Sequence, residues 1–273
     1  MRKLKKLINW FIYSFKLGDG LYAKCILLYM FIRWKLTAYV SPSLRKVFPL
    51  PAVIHIVFRG HELSLHIADD NSFPFLFYEI FIGEDYWINL PEPPKCILDI
   101  GAHYGLASIY YACLYPNAVI HACEPSSNNF QCLRINTMPF KNIHIHRLGL
   151  FSRSGTERLY LHPSSGENSL LDTANRFEEI NTITLDDFFA RYGIGHVDIL
   201  KIDVEGAEEK ILAAAHVLER VSYIIGEVHF KLIDWATLQG VLARSFDVEC
   251  TIEAPGCGIF TASPRALTGQ PAL

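Results

Sequence analysis

The sequence predicts an α/β protein with a doubly wound, mostly parallel sheet. From Cys96 onward, short continuous apolar runs alternate with helical stretches, which is typical of parallel strands covered by helices on both faces. Near the end, predicted strands at 246–252 and 258–262 flank a Pro255-Gly256 turn, so we expect an antiparallel last strand. The chain has 273 residues and is 51% hydrophobic, which excludes wholesale disorder.

The first 46 residues differ from the remainder in charge. They carry ten lysines and arginines against the single acid Asp19, a local charge of +9 that leaves −12 on the rest. Bulky apolar residues recur among the basic ones at spacings typical of amphipathic helices. Two interpretations stay open: a helix packed on the main domain, or an interfacial helix whose lysines meet anionic lipid while its aromatic side chains enter the headgroup layer.

Neither secretion nor a membrane span is expected from this N-terminal region. Its apolar stretch is interrupted by Lys16, and no small-residue cleavage site follows. The apolar run at 25–32 is shorter than the roughly 20 residues that a span needs. Seven cysteines without a C-x-x-C pair are typical of a reducing compartment and offer no structural zinc site. We therefore expect a cytoplasmic protein, peripheral at the inner membrane face if the lipid interpretation holds.

A β-hairpin and an aromatic helix are predicted between this region and the sheet. Strands at 53–58 and 62–67 meet at Arg59-Gly60, where glycine can take the positive φ of a tight turn. The aromatic segment 73–87 predicts a helix, and the prolines of residues 91–94 end it. The resulting domain boundaries are 1–48 for the helical extension, 49–94 for the hairpin and helix, 95–263 for the main domain and 264–273 for a loose tail.

The main domain begins with a strand that runs into a glycine turn and a helix. The predicted strands are 97–100, 119–123, 143–150, 197–202 and 223–228, with helices at 106–115 and 128–136. An open α/β sheet binds its ligand at the carboxyl ends of such strands. Gly101 and Gly105 allow close approach of the backbone to a ligand. Asp99 would accept from the ammonium group of S-adenosylmethionine, whereas the G-x-G-x-x-G of a dinucleotide site is absent.

Glu124 ends the second strand, 25 residues after Asp99. An acid at this point can accept both ribose hydroxyls of a nucleoside. Either acid alone is a weak signal, because strand-end acids cap helices in many folds. Together they predict a nucleoside site.

Polar residues at the ends of two later strands predict the reacting face. Lys201, Asp203 and Glu205 alternate with apolar residues and project to one side, although a Lys–Asp structural pair or a helix cap is an open alternative. Glu227 and His229 repeat the arrangement. We predict His229 as the base, Asp203 as its rival, and Glu227 and Lys201 as further catalytic residues. A histidine that only forms a hydrogen bond is the alternative for His229.

A metal is not part of this prediction, although one alternative includes it. Asp203, Glu205, Glu227 and His229 could together hold a hard divalent ion that orients a catechol-like substrate.

Taken in order, these motifs resemble the FkbM family of S-adenosylmethionine-dependent methyltransferases over roughly residues 69–230. They are D-I-G-A-H-Y-G at 99–105, C-E-P-S at 123–126, G-E-N-S-L at 166–170, T-I-T-L-D-D at 182–187, K-I-D-V-E-G-A-E at 201–208 and E-V-H at 227–229. The resemblance implies a Rossmann-like class I methyltransferase fold and O-methylation of a hydroxyl on a sugar, glycan or natural product.

The resemblance also implies site residues by matching position. It assigns Asp99, Gly101, Gly105 and Glu124 to S-adenosylmethionine and places Asp203 near the transferred methyl group. The full predicted donor site also includes Ala102, His103, Pro125, Ser126, Gly149, Leu150 and Asp203. The resemblance assigns to the acceptor Asn168, Ser169 and Glu205. Two positions depart from the family pattern, His103 where asparagine is usual and Ser152 where an acid is usual, so the partner of the adenine amino group is not predicted.

The partner classes follow from charge. The acidic body would repel phosphates, so no nucleic acid is expected. The rival function is a non-catalytic nucleoside-binding module held to a membrane or a glycan-assembly complex by residues 1–46. Oligomeric state is not predicted.

Overall fold

The computed structural model describes residues 2–39, 49–67, 72–162, 168–171, 175–254 and 256–265. Two helices come first, α1 (Arg2–Leu17) and α2 (Gly20–Tyr39). The predicted hairpin follows as β1 (Val53–Phe58) and β2 (His61–His66), paired antiparallel. Most of the predicted tail lies outside the described residues.

The predicted aromatic helix is shorter than expected. It forms as α3 (Phe73–Phe77) and continues as a π-helical stretch, Tyr78–Gly83. Glu84 ends the stretch in a left-handed conformation with φ +52°. The wider π-helical turn places Tyr78, Ile80, Phe81 and Ile82 all in the buried interior.

The remaining elements build the main sheet, its helices and a small second sheet. In chain order they are β3 (Cys96–Ile100), α4 (Leu106–Leu114), β4 (Val119–Cys123), α5 (Ser127–Thr137), β5 (Ile143–His146), β6 (Gly149–Leu150), β7 (Gly155–Tyr160), β8 (Phe177–Ile183), α6 (Leu185–Tyr192), β9 (Val197–Ile202), α7 (Glu208–Ala213), β10 (Val221–His229), α8 (Trp235–Leu242), β11 (Phe246–Ala254) and β12 (Cys257–Pro264).

The main sheet confirms the predicted fold class. Its seven strands lie in the order β5-β4-β3-β9-β10-β12-β11. The five from β5 to β10 are parallel. The predicted antiparallel end is present, because β12 inserts between β10 and β11 and pairs antiparallel with both. This is the Rossmann-like arrangement of class I methyltransferases.

Two hydrophobic cores cover the two faces of the sheet. Ile97 and Ile199 belong to the core formed with α1 to α5, whereas Leu98 and Leu200 belong to the core formed with α6 to α8. Successive side chains of a strand point to opposite faces, so a strand buried on both faces is apolar throughout. This explains the continuous apolar runs of the sequence.

The single strand predicted at 143–150 is instead two. β5 ends at His146, and β6 belongs to a separate three-stranded sheet in the order β6-β8-β7. The chain leaves the main sheet between them, and Leu148 N donates to the His146 carbonyl there. The small sheet carries β6 to the carboxyl edge of the main sheet, beside the cavity described below.

The N-terminal helices pack on the main domain through an aromatic cluster. Trp10 is fully buried, stacks on Tyr78 with ring centroids 5.5 Å apart, and donates from Nε1 to the Leu27 carbonyl. Among the described residues, none of the helices combines the length and the hydropathy that a membrane span requires.

Three histidines lie close together at the edge of the sheet. Their contacts lead us to expect that the fold loses stability in acid. His121 Nδ1 and His146 Nε2 are 3.1 Å apart, and the ring of His144 stacks on His121. Burial lowers the pKa of both His121 and His146 to about 4, and the neighbouring imidazoles add to the effect. The pKa of an imidazole in the unfolded chain is 6.5. A histidine whose pKa is lower than this in the folded protein stabilises the fold at pH values above 6.5, and this stabilisation is lost as the pH falls towards 4.

Replacing His121 with Phe should therefore help the fold in acid. Calorimetry measures the thermal midpoint of His121→Phe minus that of the wild type. We expect this difference to increase by roughly 3–6 °C as the pH is lowered from 6.5 to 4.5. A difference that stays flat over this range would contradict the assignment. His196→Phe is the control, because that exposed imidazole lies away from the cluster.

Candidate active site

A cavity of about 490 Å³ opens at the carboxyl ends of the central strands, where open α/β sheets bind ligands. Three groups of residues line it. We name these groups by their residues. The donor end is Gly101, His103, Glu124, Pro125, Asn129, Gly149 and Leu150; the acidic end is Glu79, Asn168, Asp203, Glu205 and Glu227; the mouth is the apolar group Trp34, Phe75 and Leu76, of which Phe75 is exposed.

Glycine is required at both predicted turn positions. Gly101 has φ +79°, and a Cβ there would lie 1.8 Å from the Asp203 carbonyl oxygen. Gly105 has φ +83°, and its Cβ would lie 2.7 Å from Leu133 Cδ1. The N–H groups of Gly101 and Ala102 both donate to the Cys123 carbonyl, which ties the turn to β4. Gly105 and Ala102 therefore shape the turn without lining the cavity.

Glu124 lies in the cavity wall with its carboxylate held by donors. Oε2 accepts from His103 N at 2.9 Å, and Oε1 accepts from Ser126 N at 2.9 Å and from Asn129 Nδ2 at 3.5 Å. The side chain is buried, and burial raises its pKa to about 7 although these hydrogen bonds oppose the rise. A fixed, acceptor-only carboxylate at this point can receive a pair of ligand hydroxyls.

Asp99 does not line the cavity. It is fully buried behind the wall, where Oδ2 accepts from Ser108 Oγ at 2.6 Å and Oδ1 lies 3.2 Å from Lys201 Nζ. Burial lowers the pKa of Lys201, but Asp99 and Asp203 outweigh it, and the pKa is raised overall. Lys201 Nζ also donates to the Gly101 carbonyl at 2.8 Å. The buried ion pair thus holds the glycine turn in place.

Asp203 faces the cavity directly after β9. Its Oδ2 accepts from the Tyr86 hydroxyl at 3.0 Å and lies 3.9 Å from Lys201 Nζ. Its Oδ1 is buried and has no hydrogen-bond partner among the described residues. Burial and Asp203 hold the pKa of Tyr86 well above its ordinary value, so the hydroxyl stays a donor. Asp203 thus presents one free acceptor atom.

His229 lies between two acids. Its Nε2 is 3.0 Å from Glu205 Oε2, and its Nδ1 is 3.8 Å from Oε1 of the fully buried Glu208. Burial lowers the pKa of His229, but the contact with Glu205 and the nearby carboxylates of Glu208 and Asp203 raise it to about 11. The imidazole is therefore protonated at neutral pH, which argues against the predicted role as a base. It also lies outside the cavity lining.

Two further carboxylates at this end have raised pKa values. Burial raises the pKa of Glu205 to about 7, partly offset by its hydrogen bond with His229. Burial and Asp203 raise the pKa of Glu227 to about 8, and Cys257 Sγ donates to its Oε1. Glu205 also has φ +53°, a left-handed conformation that is uncommon outside glycine.

The described residues include two groups that could hold a metal ion. Ligand atoms of Asp203, Glu205 and His229 lie within 4.8 Å of one another, as do those of Glu227, His229 and Cys257. These groups keep the metal alternative open, and a site without metal stays a prediction.

The predicted acceptor residues flank the same end. Asn168 lines the cavity, and its Oδ1 accepts from His162 N at 2.9 Å. Ser169 Oγ donates to the Glu205 carbonyl at 2.7 Å and so braces the left-handed residue. The other part of the quoted motif, residues 166–167, lies outside the described residues.

Sequence reasoning missed several residues that organise the site. These are Glu79, Tyr86, Ser108, Asn129, Glu208 and Cys257. Tyr86 and Glu79 come from the aromatic segment, which is indistinguishable from core in the sequence. The contact of Asn129 with Glu124 could have been predicted from the sequence. Asn129 lies in the first turn of the helix that follows Glu124, where its side chain can reach back to the strand end.

One family model and several known methyltransferases match this chain. The family model described as "Methyltransferase FkbM domain" matches residues 99–243. The 31-O-demethyl-FK506 methyltransferase FkbM of Streptomyces tacrolimicus is 26% identical over 192 residues, covering 57% of this chain and 74% of that protein. Methyltransferase sdnD of Sordaria araneosa is 32% identical over 211 residues, covering 64% and 77%. The 2-O-methyltransferase NoeI of Sinorhizobium fredii is 26% identical over 144 residues, covering 45% and 58%.

Proposed function

Because the chain belongs to the FkbM family of methyltransferases, we propose that it transfers the methyl group of S-adenosylmethionine to a hydroxyl of a sugar, glycan or natural-product acceptor. One observation carries this proposal: a single cavity joins a nucleoside-type end at Glu124 to a carboxylate-rich end at Asp203. Two relatives support the choice of an oxygen acceptor, since their names specify 31-O and 2-O positions. The seven cysteines form no disulfide among the described residues, which supports a cytoplasmic location.

The residues present fit the methyl donor. Glu124 would accept from the ribose hydroxyls, because its oxygens are fixed by main-chain donors and lie in the cavity wall. Gly149 and Leu150 line the same end and leave room for a flat base. The positive methionine end would lie between the glycine turn and the acidic end, whose carboxylates complement its charge. Asp99 would support donor binding indirectly, because its ion pair with Lys201 holds the glycine turn in place.

The acidic end would hold the acceptor hydroxyl. When bound, S-adenosylmethionine supplies a methyl group on a positive sulfur, which makes that carbon open to attack by oxygen. We propose that Asp203 Oδ1 takes the hydroxyl proton, because this atom is buried beside the turn and lacks a partner among the described residues. Tyr86 orients the carboxylate through Oδ2. Such base assistance typically gives about 10²–10⁴-fold, and correct positioning can supply about 7–11 kcal/mol.

His229 then acts as a positioning residue. Its protonated ring pairs with Glu205, which limits repulsion among the carboxylates and holds Glu205 at the cavity wall. Glu227, whose pKa is raised to about 8, would bind an acceptor hydroxyl as a donor below that pH and as an acceptor above it.

The first test is calorimetric titration with S-adenosylhomocysteine. We expect binding by the wild type and about tenfold weaker binding by Glu124→Gln, because the amide replaces one acceptor oxygen by a donor that faces main-chain N–H groups. The affinity of the wild type should also rise between pH 6 and 8, as Glu124 ionises through its pKa of about 7, and this rise should be absent from the variant.

Glu157→Gln serves as the matched control, because that carboxylate pairs with the exposed Arg153 and lies outside the cavity. Binding that is equal in all three proteins would remove Glu124 from the donor site. No binding by the wild type would reject the proposed function.

A further inference from the structure

Helix α1 presents two apolar faces, and only one of them has a partner. Trp10 and Leu17 are buried against the main domain. On the other side, four large apolar residues at helical spacing stay exposed, with exposed fractions of 43–52%: Ile8, Phe11, Ile12 and Phe15. The rings of Phe11 and Phe15 lie 5.0 Å apart and form one continuous apolar surface. We call these four residues the outer stripe.

Helix α2 adds to this surface. Apolar residues lie around most of its circumference, which is typical of helices that are not exposed to water. Its inner side is buried at Leu27 and Met30, yet large apolar side chains also lie on its solvent side: Leu21, Tyr22, Ile32 and Leu36, exposed by 77%, 72%, 48% and 43%. Exposed apolar residues scattered singly need no explanation, whereas two adjoining helices with such residues mark an interaction surface.

Charge indicates what covers this surface. The described helices carry Lys16, Lys24 and Lys35, and the first six residues of the sequence contribute four more basic residues. Lys16 Nζ lies 5.3 Å from the ring centroid of Tyr13, so it extends along the aromatic face. Apolar aromatic residues flanked by lysines suit an anionic lipid surface. A second copy of the same +9 region would instead be repelled.

Helix α2 carries this surface on its solvent side and contributes to the lining of the cavity on its inner side. Trp34 of α2 lines the cavity, and its ring lies 6.1 Å from that of Phe75, which also lines it and is 43% exposed. We propose that α1 and α2 dock on an anionic bilayer surface, lying on it without crossing it, and that the docked enzyme receives a membrane-anchored amphiphilic acceptor through this apolar mouth. The acceptor part of this inference rests on the proposed function.

Flotation with phosphatidylglycerol–phosphatidylcholine vesicles tests the docking. We expect the full chain to bind, and binding to fall about tenfold or more in the Phe11→Ser, Phe15→Ser double variant and in Lys16→Glu. Pure phosphatidylcholine should bind much more weakly than the anionic mixture. The control is Met138→Ser, which removes an 80% exposed apolar side chain just after the end of α5 and should leave flotation unchanged.

The outcomes separate this inference from the proposed function. All the variants should bind S-adenosylhomocysteine as the wild type does, because the outer stripe lies outside the cavity. If that binding holds but the wild type does not float, the docking is rejected and the function stands. Dimerisation in solution that is lost in the double variant would likewise overturn the lipid assignment in favour of a protein partner.

Discussion

Asp203→Asn is expected to slow methyl transfer by about 10²–10⁴-fold while leaving S-adenosylhomocysteine binding within a few-fold of wild type. The amide keeps the shape of the side chain and can still accept from Tyr86, but it removes the basic oxygen that we assign to the hydroxyl proton. Single-turnover methyl transfer to an identified acceptor measures the chemical step, and calorimetry measures binding.

Two further variants separate Asp203 from its rival. Tyr86→Phe should cost less than Asp203→Asn, because it removes only the group that orients the carboxylate. His229→Gln should also cost less, since the protonated ring acts through Glu205. A near-normal rate in Asp203→Asn, together with loss of the rise in rate with increasing pH in His229→Gln, would return the role of base to His229.

Gly101→Ala is expected to weaken S-adenosylhomocysteine binding by more than about 100-fold, which is the loss of roughly 3 kcal/mol. A Cβ at this position would lie 1.8 Å from the Asp203 carbonyl, so either the glycine turn or the chain after β9 must move. Both segments line the cavity. Calorimetry measures the loss of binding, and thermal unfolding measures the accompanying loss of stability.

Gly60→Ala is the matched control for this change. Gly60 has nearly the same φ, +83°, but a Cβ added at this position would have no neighbouring atom within 4 Å. It should therefore show only the cost of a left-handed alanine, about 1–2 kcal/mol, with unchanged donor binding. Equal losses of stability in the two variants, with binding retained in Gly101→Ala, would show that close packing of the turn is not required.

The fold was predictable because its strongest signals are local. Continuous apolar strands, glycine turns and the Pro255-Gly256 turn each identify an element without knowledge of its neighbours. The small sheet was missed because its strands are polar. Glu157 and Arg158 in β7, and Glu178 and Glu179 in β8, are charged and break the apolar pattern that predicts a strand.

Pairing between distant residues could not be predicted. The alternation rule correctly grouped Lys201 with Asp203, but it holds only inside a strand, and β9 ends at Ile202. Glu205 therefore takes its orientation from a left-handed turn. Its ion pair with His229 joins residues from two different strand ends, and the protonation of that imidazole follows from the tertiary contact alone.

Burial likewise changed the interpretation of Asp99. In the sequence a strand-end acid beside a glycine turn predicts direct contact with a ligand. In the structure its carboxylate is occupied by Ser108 and Lys201. No local pattern separates an acid that touches a ligand from one that supports the loop that does.

The walls of the cavity have two origins along the chain. The donor end comes from within residues 99–243, the stretch that the family shares, whereas Trp34, Phe75, Leu76 and Glu79 precede it. Side chains from before the matched stretch thus complete the wall of a cavity whose other residues lie within it. In chimaeras between family members, exchange of the first 94 residues should change acceptor preference through these four side chains, while the ability to use the methyl donor should stay with the remainder.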